Sequence, residues 1–155
     1  MKKIPSIRLP VIENGESSNH ILSEITANKK IIVFGLPGAF TPTCSEKHLP
    51  GYIDLYDQFQ KKGVHDIYCL SVNDAFVMKA WLGSYSKGYL INGIADGNAD
   101  FAKTLQLTTD ISGGFMGIRC KRFALIANQN NILKLLVEEK GQFVVSSAEN
   151  ILNNL

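Results

Sequence analysis

Residues 31–48, Ile-Ile-Val-Phe-Gly-Leu-Pro-Gly-Ala-Phe-Thr-Pro-Thr-Cys-Ser-Glu-Lys-His, constrain this chain most tightly. Ile31 to Leu36 is a short apolar run rich in β-branched residues, the pattern of a buried strand. Pro37 and Gly38 end it. After Thr41 and Pro42 the apolar spacing becomes helical, which places Cys44 in the first turn of a helix that follows a strand. A helix N-terminus carries unpaired N–H groups and the positive end of the helix dipole, so it favours an anion, and a thiolate is one. The other reading of Cys44 is a buried structural cysteine.

The rest of the chain alternates in period. Residues 4–12 form an edge strand or extended arm, Glu13–Ser18 a turn-rich loop, and His20–Thr26 a short helix or turn. Leu49, Ile53, Tyr56 and Phe59 recur at helical spacing up to Lys62, with Gly63 as the stop. Pro50 lies inside that helix and lacks the N–H that would reach the carbonyl of residue 46, so a kink is expected there. Ile67–Val72 reads as a second buried strand, followed by an N-cap at Asn73-Asp74 and a helix from Phe76 to Gly83. A weaker strand over Tyr89–Ala95, a helix over Ala99–Leu105, and a glycine-containing loop over Thr108–Gly117 come next. Arg122–Ala127 and Ile132–Val137 form a late β-hairpin, and Ser146 with Glu149 reads as the capping box of a last helix. This order predicts an α/β chain, one domain over residues 1–155, with a mixed central sheet flanked by helices.

Composition narrows the class of function. Sixteen basic against 14 acidic residues leave a net charge of +2, too little to suggest a nucleic-acid or membrane partner. The three cysteines, Cys44, Cys69 and Cys120, are odd in number and share no C-x-x-C spacing, which argues against a disulfide scaffold or a structural zinc site. Met1-Lys2-Lys3 is followed by no apolar stretch of the signal-peptide kind, and a cytoplasmic location is expected.

Thr41, three residues before Cys44, would share its side of a first helical turn. Pro37 would wall the site, and Arg119 or Arg122 could supply a fixed cation. His48, four residues after Cys44, could approach the sulfur, and a Cys-His pair would suggest a hydrolase. A magnitude limits what thiolate formation alone achieves. A thiol of pKa about 8.5 is roughly 3% ionised at pH 7, and lowering it to about 6 gains only about 30-fold. Enzymes commonly accelerate reactions by 10⁶-fold or more. The site must therefore also hold a substrate in line with the sulfur and stabilise its developing charge.

The run Pro37-Gly38-Ala39-Phe40-Thr41-Pro42-Thr43-Cys44-Ser45 strongly resembles the peroxidatic motif of peroxiredoxins, most closely the type II or peroxiredoxin-5-like class. Lys47-His48-Leu49-Pro50-Gly51, the segment Leu70–Val77, Lys121-Arg122-Phe123-Ala124 and Ser146-Ser147-Ala148-Glu149 resemble the same family. The resemblance implies a thioredoxin-like fold and reduction of hydrogen peroxide and alkyl hydroperoxides in antioxidant defence, without a metal or prosthetic group. It makes Cys44 the peroxidatic cysteine, with Thr41 bonding peroxide and thiolate, Pro37 shielding the site and Arg122 as the catalytic arginine. Arg119 stands one layer behind. Cys69 is either a resolving cysteine or a buried strand residue, and Cys120 matches nothing in the pattern. Glutathione, with or without glutaredoxin, is the expected reductant, with thioredoxin next. A homodimer is expected too, through residues 76–81 or the glycine-rich 112–117 loop. A redox-sensing relay and the Cys44–His48 hydrolase are the alternatives.

Overall fold

The computed structural model describes residues 2–155. Its centre is a seven-stranded sheet in the order β2-β1-β5-β4-β3-β8-β9. The strands are β1 (Arg8–Glu13), β2 (Glu16–Ile21), β3 (Lys30–Gly35), β4 (Asp66–Ser71), β5 (Asn92–Ala95), β8 (Phe123–Asn128) and β9 (Asn131–Val137). β3, β4 and β5 run parallel, while β1, β2, β8 and β9 add antiparallel pairs on either side, so the sheet is mixed. Side chains alternate across it, as strand geometry requires. Ile32, Phe34, Cys69, Ala124 and Ile126 enter one core layer, and Ile31, Val33, Leu70, Phe123 and Leu125 the other. Helices α2 (Leu49–Asp54), α3 (Tyr56–Lys61), α4 (Ala75–Gly83) and α6 (Ala148–Asn153) cover the first layer; α1 (Leu22–Ile25) and α5 (Asp100–Thr104) cover the second.

Several elements differ from the sequence reading. β1 is an interior strand, not an edge, because β2 pairs along its whole length through a two-residue turn at Asn14-Gly15. Asn14 and Gly15 both have positive φ, as such a turn requires. The expected loop at 108–117 contains β6 (Thr108–Asp110), which pairs with β7 (Ile118–Cys120). The Tyr89–Ala95 strand begins only at Asn92, after a 3₁₀ turn. The last helix is capped by Ser147, whose hydroxyl accepts from the Asn150 amide; Ser146 Oγ donates to Glu138 instead.

The helix expected over 44–62 is broken into three parts. Cys44–His48 winds as a π-turn in which the Leu49 amide reaches back to the Cys44 carbonyl. α2 follows, and Leu55 interrupts the helix before α3. Pro50 sits at the seam between the π-turn and α2, where the helix changes register as a proline lacking an N–H allows. No helix among the described residues is long and apolar enough to cross a membrane.

Candidate active site

Cys44 is buried (1% exposed) at the start of the π-turn, within the same core layer as Cys69. The approach to it is held from β4 and the loop after it. Asn73 Oδ1 accepts from the Ala39 amide and from Ser71 Oγ, so Asn73 fastens the loop while Asp74 caps α4. Phe40 then turns the chain with a left-handed φ of 63°.

Arg122 meets the sulfur from the other side. One guanidinium N–H, at Nη2, donates to Cys44 Sγ at 3.3 Å, and Nη1 donates to His48 Nδ1 at 3.0 Å. Its planar fork suits two targets at once. Because Arg122 only donates, His48 Nδ1 must accept, and its Nε2–H donates to the Ser146 carbonyl at 3.1 Å. Tyr52 Oη donates to that same carbonyl at 2.7 Å. Burial and then the Arg122 charge push the His48 pKa down to about 3, so the imidazole is neutral at pH 7. Phe143 packs edge-on to His48 and lies 5.8 Å from the Arg122 guanidinium carbon, a cation–π contact. Arg122 precedes β8 but is fixed by its carbonyl, which accepts from the Glu138 amide.

The sequence-predicted residues divide accordingly. Arg122 and Cys44 come together. Thr41 lies in the same loop, yet its hydroxyl donates to Gly38 O at 2.7 Å and not to the sulfur, leaving its lone pairs as acceptors. Arg119 binds the Met116 and Pro37 carbonyls and so buttresses Pro37 from behind. Gly38 permits that approach, since a Cβ there would stand 2.7 Å from Arg119 Nη1. Cys69 is fully buried in the interior strand β4, where burial raises its pKa well above the ordinary thiol value. Cys120, also buried, donates its S–H to Leu36 O. The three cysteines are free.

His48 does not serve Cys44 as the base that its spacing allowed; it is a buried histidine packed beside the site. Both its nitrogens are occupied, so it has no lone pair for the Cys44 proton and the Cys-His hydrolase reading fails. Phe143 and Glu138 were missed, and Ser146 was read as a helix cap and not as a partner of His48, because they lie about a hundred residues away in the chain; the capping pattern and family-like block at 146–149 were the signals near them. Glu138 accepts from the Val144 amide and from the Ser146 amide and hydroxyl, which fixes the carbonyl that His48 reads. A groove of about 880 Å³ opens beside the site, with Pro37, Thr43, Lys47, Lys121, Arg122 and Phe143 in its wall. Among the described residues no group of three or more His, Cys, Asp or Glu could hold a metal ion.

A buried thiol facing a doubly anchored guanidinium is suited to attack on an electrophilic oxygen, with donors ready for the leaving oxyanion. Comparison with known proteins agrees. The redoxin family model matches residues 2–152. Peroxiredoxin-2C of Oryza sativa subsp. japonica is 48% identical over 131 residues, covering 84% of this chain and 81% of that protein. Peroxiredoxin-2B of Arabidopsis thaliana is 43% identical over 143 residues, covering 92% and 88%. The structure of reduced Prx3 from Vibrio vulnificus in complex with hydrogen peroxide superposes with a TM-score of 0.92 at 45% identity, covering 99% of this chain and 96% of that one. The chain therefore belongs to the redoxin family, as a type II peroxiredoxin of thioredoxin-like fold, and is a thiol peroxidase with an antioxidant function.

Proposed function

We propose that Cys44 is the sulfur that peroxide oxidises and that hydrogen peroxide and alkyl hydroperoxides are its substrates. The observation that carries this reading is the Arg122 guanidinium, donating to Cys44 Sγ while tethered to neutral His48. The Cys44 thiolate attacks one peroxide oxygen, the O–O bond breaks, and the departing alkoxide or hydroxide takes a proton to leave as alcohol or water. Cys44 becomes a sulfenic acid. Arg122 donates to the oxygens as charge shifts from sulfur to the leaving group, and Thr41 accepts from the peroxide O–H, which aligns the O–O axis with sulfur.

Recycling is by an external thiol, glutathione with or without glutaredoxin first and thioredoxin second. One thiol attacks the sulfenic sulfur to give a mixed disulfide and water; a second attacks the reductant's sulfur in that disulfide, forming a disulfide between the two reductant thiols and releasing Cys44 as a thiol. Cys69 sits too deep in β4 to resolve Cys44 without opening of the sheet layer above it, which favours the external route. A homodimer through the exposed Phe40, Phe76 and Phe115 side chains, and residence in a reducing compartment such as the cytoplasm, complete the reading.

Mass spectrometry after one equivalent of hydrogen peroxide tests it. The expected product is an unlinked sulfenic acid on Cys44, with turnover supported by glutathione and abolished in Cys44→Ser. A Cys44–Cys69 bridge would make Cys69 the resolver, and turnover surviving Cys44→Ser would overturn the assignment.

A further inference from the structure

The π-turn denies Ser45 O the amide that its register would supply. Leu49 spends its amide on Cys44 O, five residues back. The next amide would serve Ser45 O, but residue 50 is proline and has none. Ser45 O is bonded instead by Tyr85 Oη, at 2.6 Å, and Ser45 Oγ accepts from Trp81 Nε1 at 3.0 Å. Tyr85 lies just beyond the C-terminus of α4, its amide bonded to Leu82 O and its ring edge-on to Trp81. α4 is anchored in turn by its Asp74 cap and by buried Met78, Trp81 and Leu82. So the residue next to Cys44 is tied to a rigid helix through two side-chain donors.

The two halves of the reaction ask different things of this tie. A peroxide is small, and its oxidation of Cys44 needs the wound turn, where Arg122 reaches the sulfur. A thiol reductant is larger and must approach a sulfur that is 1% exposed, along the S–O axis of the sulfenic acid. That approach requires the Cys44–His48 turn to open. We propose that the Tyr85 hydroxyl is the latch of this turn: by satisfying the Ser45 carbonyl orphaned by Pro50, it sets how often the oxidised sulfur is exposed to thiols. Tyr85 is a positioning residue, and the inference rests on Cys44 being the oxidised cysteine.

In the closed turn, loss of the hydroxyl leaves a partly buried carbonyl unsatisfied, whereas in the open turn water bonds it. The closed state alone is weakened, by an amount equivalent to about tenfold in the opening equilibrium. Opening also competes with attack of a second peroxide on the sulfenic acid, which yields sulfinic acid and a second molecule of water or alcohol.

Tyr85→Phe keeps the ring and removes only the donor. Stopped-flow mixing with hydrogen peroxide should give Cys44 oxidation within about threefold of wild type. Reduction of the sulfenic acid by glutathione should be about tenfold faster, sulfinic acid per turnover correspondingly lower, and amide exchange over residues 45–48 about tenfold faster. Pro50→Ala restores an amide that can bond Ser45 O; in that background Tyr85→Phe should change the glutathione step less than about threefold. Equal glutathione rates in wild type and Tyr85→Phe, with oxidation intact, would overturn the latch alone, as would the same tenfold change with and without Pro50. Failure of wild-type Cys44 to oxidise would overturn the underlying reading, and the latch with it.

Discussion

Protonation of His48 should unfold this protein from within its own active site. His48 is fully buried and neutral, accepting from Arg122 on one side and donating to Ser146 O on the other. In the unfolded chain it titrates near its ordinary 6.5; in the fold its pKa lies at about 3, through burial first and the Arg122 charge second. A depressed folded-state pKa means that the unfolded chain binds the extra proton first as pH falls. Stability supplied by neutral His48 is thus full above pH 6.5 and is lost progressively down to pH 3, at about 1.4 kcal/mol per pH unit. Over the whole interval that sums to about 5 kcal/mol, comparable with the ~5–15 kcal/mol net stability of a typical domain. The comparison is with His48→Gln, which does not titrate. Glu138, whose carboxyl pKa is lowered as hydrogen bonds from Ser146 and Val144 outweigh its burial, shifts acid stability in the same direction in both proteins and cancels in their difference. Urea unfolding under reducing conditions, followed by the fluorescence of the single tryptophan, Trp81, gives that difference at each pH. Between pH 6.5 and 4.5 wild type should lose about 2 kcal/mol more than His48→Gln. Parallel curves would show that His48 is not held neutral, and that its Nδ1 does not accept from Arg122 as a neutral ring nitrogen.

Two further outcomes follow from the geometry. Arg122→Lys replaces a fork that spans Cys44 and His48 with a single ammonium, and Cys44 oxidation by hydrogen peroxide should slow by about 10²-fold in stopped flow. Asp74→Ala removes the acceptor for the Val77 amide at the start of α4; urea unfolding should show a loss of about 1 kcal/mol with the oxidation rate unchanged.

The parts legible in the sequence are those whose physics is local. β3 and β4 are short apolar runs bounded by breakers, and such runs mean strands covered on both faces. α4 shows its cap and its apolar spacing. Cys44 shows itself by standing after a Pro-Gly break and before a helical pattern. β2, Glu-Ser-Ser-Asn-His-Ile, escaped because it is the exposed outer strand and has no apolar alternation to betray it; only the Asn14-Gly15 turn marked the hairpin. β6 and β7 are three residues each, below what periodicity can resolve. The π register around Cys44 has no sequence signature of its own. It becomes intelligible only once Tyr85, 40 residues away in the chain, is seen bonded to Ser45 O. His48 was visible as a residue and invisible as a function, because its partners come from the start of β8 and from the segment between β9 and α6.

Why Arg122 reaches the sulfur, and its neighbour Lys121 does not, is a matter of strand register. β3 and β8 pair antiparallel with Gly35 opposite Phe123. One residue further, Leu36 leaves β3 toward Pro37 as Arg122 enters β8, so the guanidinium stands where the chain turns toward Cys44. Sheet alternation then selects the side. Phe123 belongs to the core layer under α5, so Arg122 projects to the opposite layer, which holds Leu36 and Cys44. Gly35 makes room for the Phe123 ring, because a Cβ there would lie 2.0 Å from it. A slip of one residue would send Arg122 to the wrong face and bring Phe123 to the sulfur. The chemistry of Cys44 is thereby set as much by a glycine in the sheet as by any polar group beside it.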